Sequence, residues 1–309
     1  MRILLHRGDG VTQPWIAGFA KALPQAQVVV WREGADTAPC DYAVLFAPPA
    51  AMVPELQSVK AIFLTGAGAD AILKVADQLP PVPIVRLGDA GMASQMAEYA
   101  VYAVLRYFRR FDEYEAQARA RVWKQLPQYE REDFTVGVLG TGVLGKRVLD
   151  ALAPFGFPLR GWSRTPKHID GVQCFAGADQ LADFLRGTRV LVCMLPLTPD
   201  TASLLNLERL SLLAPGAYVV NVARGGHVVD EDLLAQVQSG HIAGAMLDVF
   251  GTEPLPASHP FWHDARIAIT PHAAALTLPG PSAVQIAHKI QALERGDTID
   301  DVVDVQRGY

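Results

Sequence analysis

The run Val136-Gly137-Val138-Leu139-Gly140-Thr141-Gly142-Val143-Leu144-Gly145 constrains this chain more than any other stretch. An apolar strand ends in the pattern G-x-G-x-x-G and passes directly into a helical segment, Val143 to Ala153. Each glycine has a physical reason. Gly140 permits the tight turn out of the strand, Gly142 keeps side-chain atoms away from an approaching pyrophosphate, and Gly145 lets the helix pack close to the sheet. The helix N-terminus offers free N–H groups and the positive end of its dipole to the phosphates. The alternative is a glycine-rich turn with no ligand. The readable strand before it and helix after it favour a dinucleotide site built from Gly140, Thr141, Gly142, Val143, Leu144 and Gly145.

The next strand, Pro158 to Trp162, is expected to end near the adenosine ribose. A site that prefers NAD usually carries Asp or Glu there, to accept hydrogen bonds from the 2′-OH. This chain reads Trp162-Ser163-Arg164-Thr165, with Arg164 nineteen residues after Gly145 and no carboxylate at the strand end. Arg164 supplies a guanidinium that can pair bidentately with a 2′-phosphate. Ser163 and Thr165 add hydroxyl donors. NADP(H) is therefore the expected cofactor, in preference to a solvated surface arginine with no ligand.

The fingerprint lies mid-chain, so another folding unit must precede it. From Phe134 onward six apolar runs read as strands: Phe134–Leu139, Pro158–Trp162, Arg189–Leu195, Ala217–Val222, Ala243–Val249 and Ile267–Thr270. Helical stretches such as Ala178–Arg186 and Asp230–Ser239 separate them. That alternation predicts an α/β fold with a doubly wound parallel sheet, the Rossmann type. Shorter strands precede it: Ile3–His6, Gln27–Trp31, Tyr42–Phe46, Ala61–Leu64 and Pro83–Arg86. They alternate with helical pieces such as Thr12–Ala22 and suggest a smaller flavodoxin-like α/β domain. A last helix, Pro281 to Arg295, is expected to fold back onto it and make it discontinuous. The expected division is 1–95 with 281–309 for the substrate domain and 96–280 for the nucleotide domain. Ser94 to Phe111 reads as one long amphipathic helix, with Met96, Tyr99, Ala103 and Tyr107 at helical spacing. It serves equally well as a bridge between domains or as a dimer face.

A chain of 309 residues, half of them hydrophobic, has enough length for two cores. Its net charge of −5 gives no field that would attract nucleic acid or an anionic membrane. Cys40, Cys174 and Cys193 are odd in number and lack C-x-x-C spacing. They argue against a disulfide framework or zinc site and fit a reducing cytoplasm. The N-terminal apolar stretch is too short for a signal peptide, and no run approaches the length of a membrane span. No histidine spacing suggests a metal site; His259 and His263 are four apart, but Pro260 interrupts the helix they would need.

Three polar clusters follow late strands, where ligands of a doubly wound sheet collect. They are Asn221-Val222-Ala223-Arg224-Gly225, Asp248-Val249-Phe250-Gly251-Thr252-Glu253 and Thr270-Pro271-His272-Ala273-Ala274. Arg224, between a buried-type strand and two glycines, is suited to a carboxylate. Taken singly, Glu253 is a turn acid and His272 a core histidine. Together, Arg, Glu and His on one edge of a nucleotide fold form a candidate catalytic set.

At these residues the chain resembles the D-isomer-specific 2-hydroxyacid dehydrogenase family, over nearly its whole length and most strongly from Val136 to His272. Trp162-Ser163-Arg164-Thr165, Gly244-Ala245-Met246-Leu247-Asp248-Val249-Phe250, Ile269-Thr270-Pro271-His272 and the ending Arg307-Gly308-Tyr309 are similar to a bacterial branch that reduces glyoxylate and hydroxypyruvate. Leu64-Thr65-Gly66-Ala67-Gly68-Ala69-Asp70 and Glu98-Tyr99-Ala100 agree. The resemblance implies hydride transfer from NADPH to a small 2-oxo acid. Arg224 would hold the carboxylate, helped by amides near Ala67 and Gly68. His272 would give the proton, and Glu253 would orient its ring and favour its charge. Asp248 would lie near the nicotinamide carboxamide; Leu195, Pro196 and Val222 would line the cofactor. No metal is implied, and a homodimer is. Arg86, Phe46, Trp262 and Leu276 are weaker candidates for the substrate wall. The alternatives are a lactate- or phosphoglycerate-type dehydrogenase, which more often goes with NAD and an acid at the Ser163-Arg164 position, and a dinucleotide-sensing binding module.

Overall fold

The computed structural model describes residues 1–35 and 38–307. Gly308 and Tyr309 of the quoted ending lie outside the described residues. Contacts gather the chain into two units, 1–92 with 277–309 and 93–276.

In the first unit, β1 (Arg2–Arg7), α1 (Gln13–Ala22), β2 (Gln27–Val30), β3 (Tyr42–Phe46), β4 (Ala61–Leu64), α2 (Asp70–Leu73) and β5 (Ile84–Val85) follow one another. The five strands pair in parallel in the order β2-β1-β3-β4-β5, the flavodoxin-type winding.

The second unit takes in nearly all of α3 (Met92–Phe108), then α4 (Phe111–Arg119), β6 (Val136–Leu139), α5 (Val143–Leu152), β7 (Leu159–Ser163), β8 (Val172–Ala176), α6 (Leu181–Leu185), β9 (Val190–Cys193), α7 (Leu207–Leu210), β10 (Ala217–Asn221), α8 (Asp230–Ser239), β11 (Ile242–Leu247) and β12 (Ile267–Ile269). Its strands run in the order β12-β11-β10-β9-β6-β7-β8, all parallel. The last helix, α9 (Pro279–Glu294), belongs to the first unit. There it packs on α1 at Gly18, where a Cβ would come within 2.8 Å of the Ala283 Cβ.

The unbroken apolar runs of the central strands have a direct explanation. Successive side chains of a strand point to opposite faces, and both faces of this sheet are covered. Leu139, Leu191, Cys193 and Val219 enter a core shared with Leu185, Leu210 and Val237. Their neighbours Val138, Val190, Val192 and Val220 enter the opposite core with Val148, Leu149 and Leu152 of α5.

Two expectations need correction. The large sheet has seven strands, not six. The missing one, β8, reads Val-Gln-Cys-Phe-Ala and is an edge strand with every residue part-exposed or exposed, so it lacks the apolar run of its neighbours. The helix expected from Ser94 to Phe111 is α3, and it ends three residues earlier, at Phe108, before a separate α4. Arg110 takes a left-handed conformation (φ 58°) that ends α3, and its guanidinium grips Glu113 at 2.7 Å as α4 begins. Between the bridging and dimer-face readings of α3, its inner side is simply core: Ala97, Ala100, Ala103, Val104, Tyr107 and Phe108 are buried in the second unit. Among the described residues no helix is long and apolar enough to cross a membrane.

Phe134 anchors the base of the second unit. Its ring lies 4.9 Å from Phe108 and 5.5 Å from both Tyr129 and Phe157, centroid to centroid. Phe134→Ala should cost about 3–5 kcal/mol. A urea unfolding curve with an unchanged midpoint would contradict this.

Candidate active site

The strand order of the second unit reverses between β6 and β9, and the glycine loop leaves β6 at that crevice. Gly140 has φ 106°, and a Cβ there would meet the Met194 backbone at 2.9 Å. Gly145 is tighter: a Cβ would sit 1.8 Å from the Gly140 carbonyl oxygen. Its close approach is thus to the loop itself more than to the sheet. Gly142 caps α5, and nothing lies within 4 Å of where its Cβ would be. The Thr141 hydroxyl is buried with no hydrogen-bond partner in the protein. Val143 is exposed at the first turn of α5, and Leu144 is half-buried. An open approach, an orphaned donor and a helix N-terminus together fit a phosphate group.

At the end of β7, Ser163 is buried and its hydroxyl donates to the Thr165 carbonyl at 2.8 Å. Arg164 and Thr165 are exposed. Lys167, on the same loop, donates from Nζ to the Thr141 carbonyl at 2.7 Å and so braces the glycine loop. It is a second cation beside Arg164 that sequence reasoning passed over. Its position three residues after Arg164 was the available signal.

The late-strand loops interlock. After β10, Arg224 is half-buried and donates from Nη1 to the Ala223 carbonyl at 2.7 Å. Gly225 then runs against the loop after β11: a Cβ there would lie 1.8 Å from the Phe250 carbonyl carbon and 2.3 Å from the Gly251 nitrogen. Only glycine allows that crossing. The Phe250 amide in turn donates to Glu253 Oε1 at 2.9 Å. Glu253 Oε2 lies 2.8 Å from His272 Nδ1. One carboxylate therefore joins the Phe250 amide to the Nδ1 edge of the His272 ring. His272 itself sits at φ 51°, a left-handed backbone that a non-glycine residue adopts at a cost.

Asp248 holds that backbone in place. It is 1% exposed. Its Oδ1 accepts from the Thr270 hydroxyl at 2.6 Å and the Ala273 amide at 2.8 Å, and its Oδ2 from the Ala274 amide at 2.9 Å. The His272 amide donates to the Asp248 carbonyl at 2.8 Å. Because Thr270 spends its only proton on Asp248, the Tyr99 hydroxyl, 2.6 Å from Thr270 Oγ1, must be the donor of that contact. Burial pushes the Tyr99 phenol up to about 12, so it keeps that proton. Three of the four lone-pair directions of the carboxylate serve this loop. Tyr99 and Thr270 carry no sequence signal of this role, since they are far apart in the chain and individually ordinary.

Leu195 and Val222 are buried just beyond β9 and β10. The Pro196 carbonyl accepts from Thr201 Oγ1 at 2.7 Å. In the first unit, Ala67 and Gly68 lie on the loop from β4 to α2. That loop is fastened at Thr65, whose hydroxyl accepts from Arg7 at 2.9 Å and whose carbonyl accepts from Thr277 at 2.9 Å. Arg86 is tied down through its backbone to Asp301 at 3.0 Å. Phe46, Trp262 and Leu276 are exposed. Among the described residues no group of three or more His, Cys, Asp or Glu side chains is arranged to hold a metal ion.

Residues 101–274 match the model of the D-isomer specific 2-hydroxyacid dehydrogenase, NAD binding domain. The chain belongs to that family. It is 50% identical, across the full length of both chains, to glyoxylate/hydroxypyruvate reductase A of Serratia proteamaculans, and 49% identical, again over both full lengths, to the protein of the same name from Photorhabdus laumondii. Among solved structures it superposes with a TM-score of 0.95 on a D-isomer specific 2-hydroxyacid dehydrogenase of Xanthobacter autotrophicus in complex with NADPH and MES, at 39% identity and covering 100% of this chain and 99% of that one. The NADPH-dependent glyoxylate/hydroxypyruvate reductase of Sinorhizobium meliloti, in complex with NADP and sulfate, gives a TM-score of 0.94 at 34% identity, with the same coverage.

For this 2-hydroxyacid dehydrogenase, the crossing at Gly225 makes a sharp comparison possible. Gly225→Ala must push backbone against backbone and separate the Arg224 and Glu253 loops. Gly226→Ala meets only the flexible Leu197 side chain, at 3.2 Å. The first should lower kcat/KM on the order of a hundredfold, as misplacement of a catalytic group does, and the second only severalfold. Steady-state kinetics on both variants, with equal losses, would refute the interlock.

Proposed function

We propose that the protein reduces glyoxylate to glycolate and hydroxypyruvate to D-glycerate, with NADPH as the preferred reductant. The observation that carries this is the Glu253–His272 pair, 2.8 Å apart, fastened through Phe250 to the loop of Arg224. The relatives named as glyoxylate/hydroxypyruvate reductases, similar over their full length, support the substrate class.

When bound, the nicotinamide supplies the hydride. The residues of the chain do the rest. Arg224 takes the substrate carboxylate in its planar fork. His272 Nε2 holds a proton at the carbonyl oxygen and releases it as that oxygen becomes a hydroxyl. Glu253, itself fixed by the Phe250 amide, holds Nδ1 and stabilises the ring while it is charged. Asp248 keeps the His272 loop in its strained shape and offers its remaining lone pair to the carboxamide. Leu195, Pro196 and Val222 line the nicotinamide end. Ser163, Arg164 and Thr165, with Lys167 close to the glycine loop, favour a 2′-phosphate over a free ribose hydroxyl. Structures similar to this one that hold NADPH or NADP support that preference.

A homodimer through the second unit accompanies this reading. Tyr102 and Phe111 are about half exposed, at 53% and 49%, and Trp123 is fully exposed, an amount of aromatic surface that favours a partner. Three free cysteines support a cytoplasmic setting.

The deciding experiment follows reduced-nicotinamide absorbance with glyoxylate and hydroxypyruvate, each with NADPH and NADH. Oxidation of NADPH by either acid is expected; none with any combination refutes the proposal. Arg164→Ala should weaken NADPH about 10- to 100-fold, the loss of a charge-assisted contact, and leave NADH within about twofold on the same scale. His272→Asn should lower kcat by about 10²–10⁴-fold. Gly142→Ala has room in the protein, so its melting temperature should match wild type while NADPH affinity drops on the order of tenfold; unchanged affinity would mean that the open space above Gly142 receives no phosphate.

A further inference from the structure

His227 is the one fully buried histidine of the described chain, at 0% exposure, and the reaction outlined above does not use it. It closes the short turn that begins at Gly225, three residues after Arg224. Its ring spans two loops. Nδ1 lies 2.9 Å from the Arg224 carbonyl oxygen and Nε2 lies 3.2 Å from the Pro196 carbonyl oxygen. Both partners are carbonyls, which only accept. A neutral imidazole has one N–H, so its other nitrogen would turn a lone pair towards a carbonyl lone pair in a place water does not reach. An imidazolium donates at both ends and satisfies both contacts.

We propose that His227 is a positioning residue: a buried imidazolium that clamps the Pro196 and Arg224 carbonyls together and so fixes the peptide from which the Arg224 guanidinium reaches the substrate carboxylate. Each clamped oxygen already has a second anchor. Asn221 Nδ2 donates to the Arg224 carbonyl at 2.9 Å, and Thr201 Oγ1 donates to the Pro196 carbonyl at 2.7 Å. The turn is thus held on the same atoms by a neutral donor and a charged one, and charged donors are about twice as strong.

The surroundings support the charge. Burial is the largest influence and works against it; negative charge at the Cys193 sulfur, its hydrogen bond to the ring and the two carbonyls act the other way and push His227 up to about 9. Cys193, from β9, is the titratable group facing the ring. The loop after β9 presents Pro196 and Thr201 there, and the turn of His227 itself carries Arg224. A folded-state value of about 9 keeps the clamp charged at neutral pH and releases it as pH rises through about 9; the stability it adds is fully present below the usual 6.5 and is lost over that rise.

The inference rests on the role proposed for Arg224, and its test is chosen to fail separately from that proposal. In whole protein labelled with 15N-histidine at pH 7.5, both ring nitrogens of His227 should be protonated. Oxalate binding to the NADPH-saturated protein, measured by calorimetry, reads the carboxylate grip without turnover. His227→Gln should weaken oxalate roughly tenfold, a modest misplacement of its ligand. Wild-type oxalate affinity should also decline as pH passes about 9, a decline absent from His227→Gln. A His227 ring with one unprotonated nitrogen at pH 7.5 overturns the inference, even if the variant does not fold. So does a folded His227→Gln protein with wild-type oxalate affinity. Failure of the wild-type protein to reduce any 2-oxo acid would instead strike the proposed function, and the oxalate and NMR results would still decide the clamp.

Discussion

The active edge of this protein hangs on a carboxylate assigned no chemistry of its own. Asp248 is withdrawn from water, and its charge is matched by three donors from the five residues that follow β12. Hydrogen bonds to a charged group contribute about 1.5–3 kcal/mol each, and a buried carboxylate without them would be untenable. Those bonds force the loop into a shape in which His272 has positive φ and faces Glu253. Without Asp248 the histidine would have no reason to keep that backbone. The Tyr99–Thr270 pair extends the same network into α3, so a helix of the second unit helps to set the position of the His272 loop.

Absent side chains do as much as present ones. Gly140 and Gly145 let the phosphate loop fold on itself, and Gly142 leaves its approach open. Gly225 does something different: it lets the loops after β10 and β11 cross backbone to backbone, which ties the Arg224 loop to that of Glu253. His227 adds a charged tie from the same turn back to the loop after β9. The loops after β9, β10, β11 and β12 are therefore linked in series by Pro196–His227, Gly225–Phe250 and Glu253–His272. This arrangement fits a reaction whose partners must be held to a fraction of an ångström.

Much of the fold was legible in the chain because burial on two faces writes itself as uninterrupted apolar runs. Tyr42–Phe46, Ala61–Leu64 and Asp230–Ser239 were read to the residue. The bounds of the α8 helix have a local cause: three acids stand in its first turn, and Gly240 ends it at φ 80°. β8 was invisible because an edge strand needs no apolar run, and the break at Arg110 was invisible because an arginine in left-handed conformation leaves no mark in composition. At the site, Arg224, Glu253 and His272 drew notice as polar residues after buried strands. Asp248 was noticed too, though its use as a loop anchor was not. Lys167 and His227 were passed over, and Tyr99 and Thr270 were noticed without their hydrogen-bond role.

Sequence alone determined the alternation of strands and helices, the glycine loop at the end of β6 and the missing acid at the end of β7. These are local facts: a strand, its turn and the next helix lie within a few residues and obey short-range sterics. Only the tertiary structure decided which polar groups meet. Glu253 and His272 are 19 residues apart, Asp248 and Ala274 26, Tyr99 and Thr270 171. Such pairs exist because parallel strands deliver their C-terminal loops to one edge of the sheet, whatever their separation along the chain. The charge required of His227 is likewise a tertiary fact, since it follows from two carbonyls that the fold places at opposite ends of its ring.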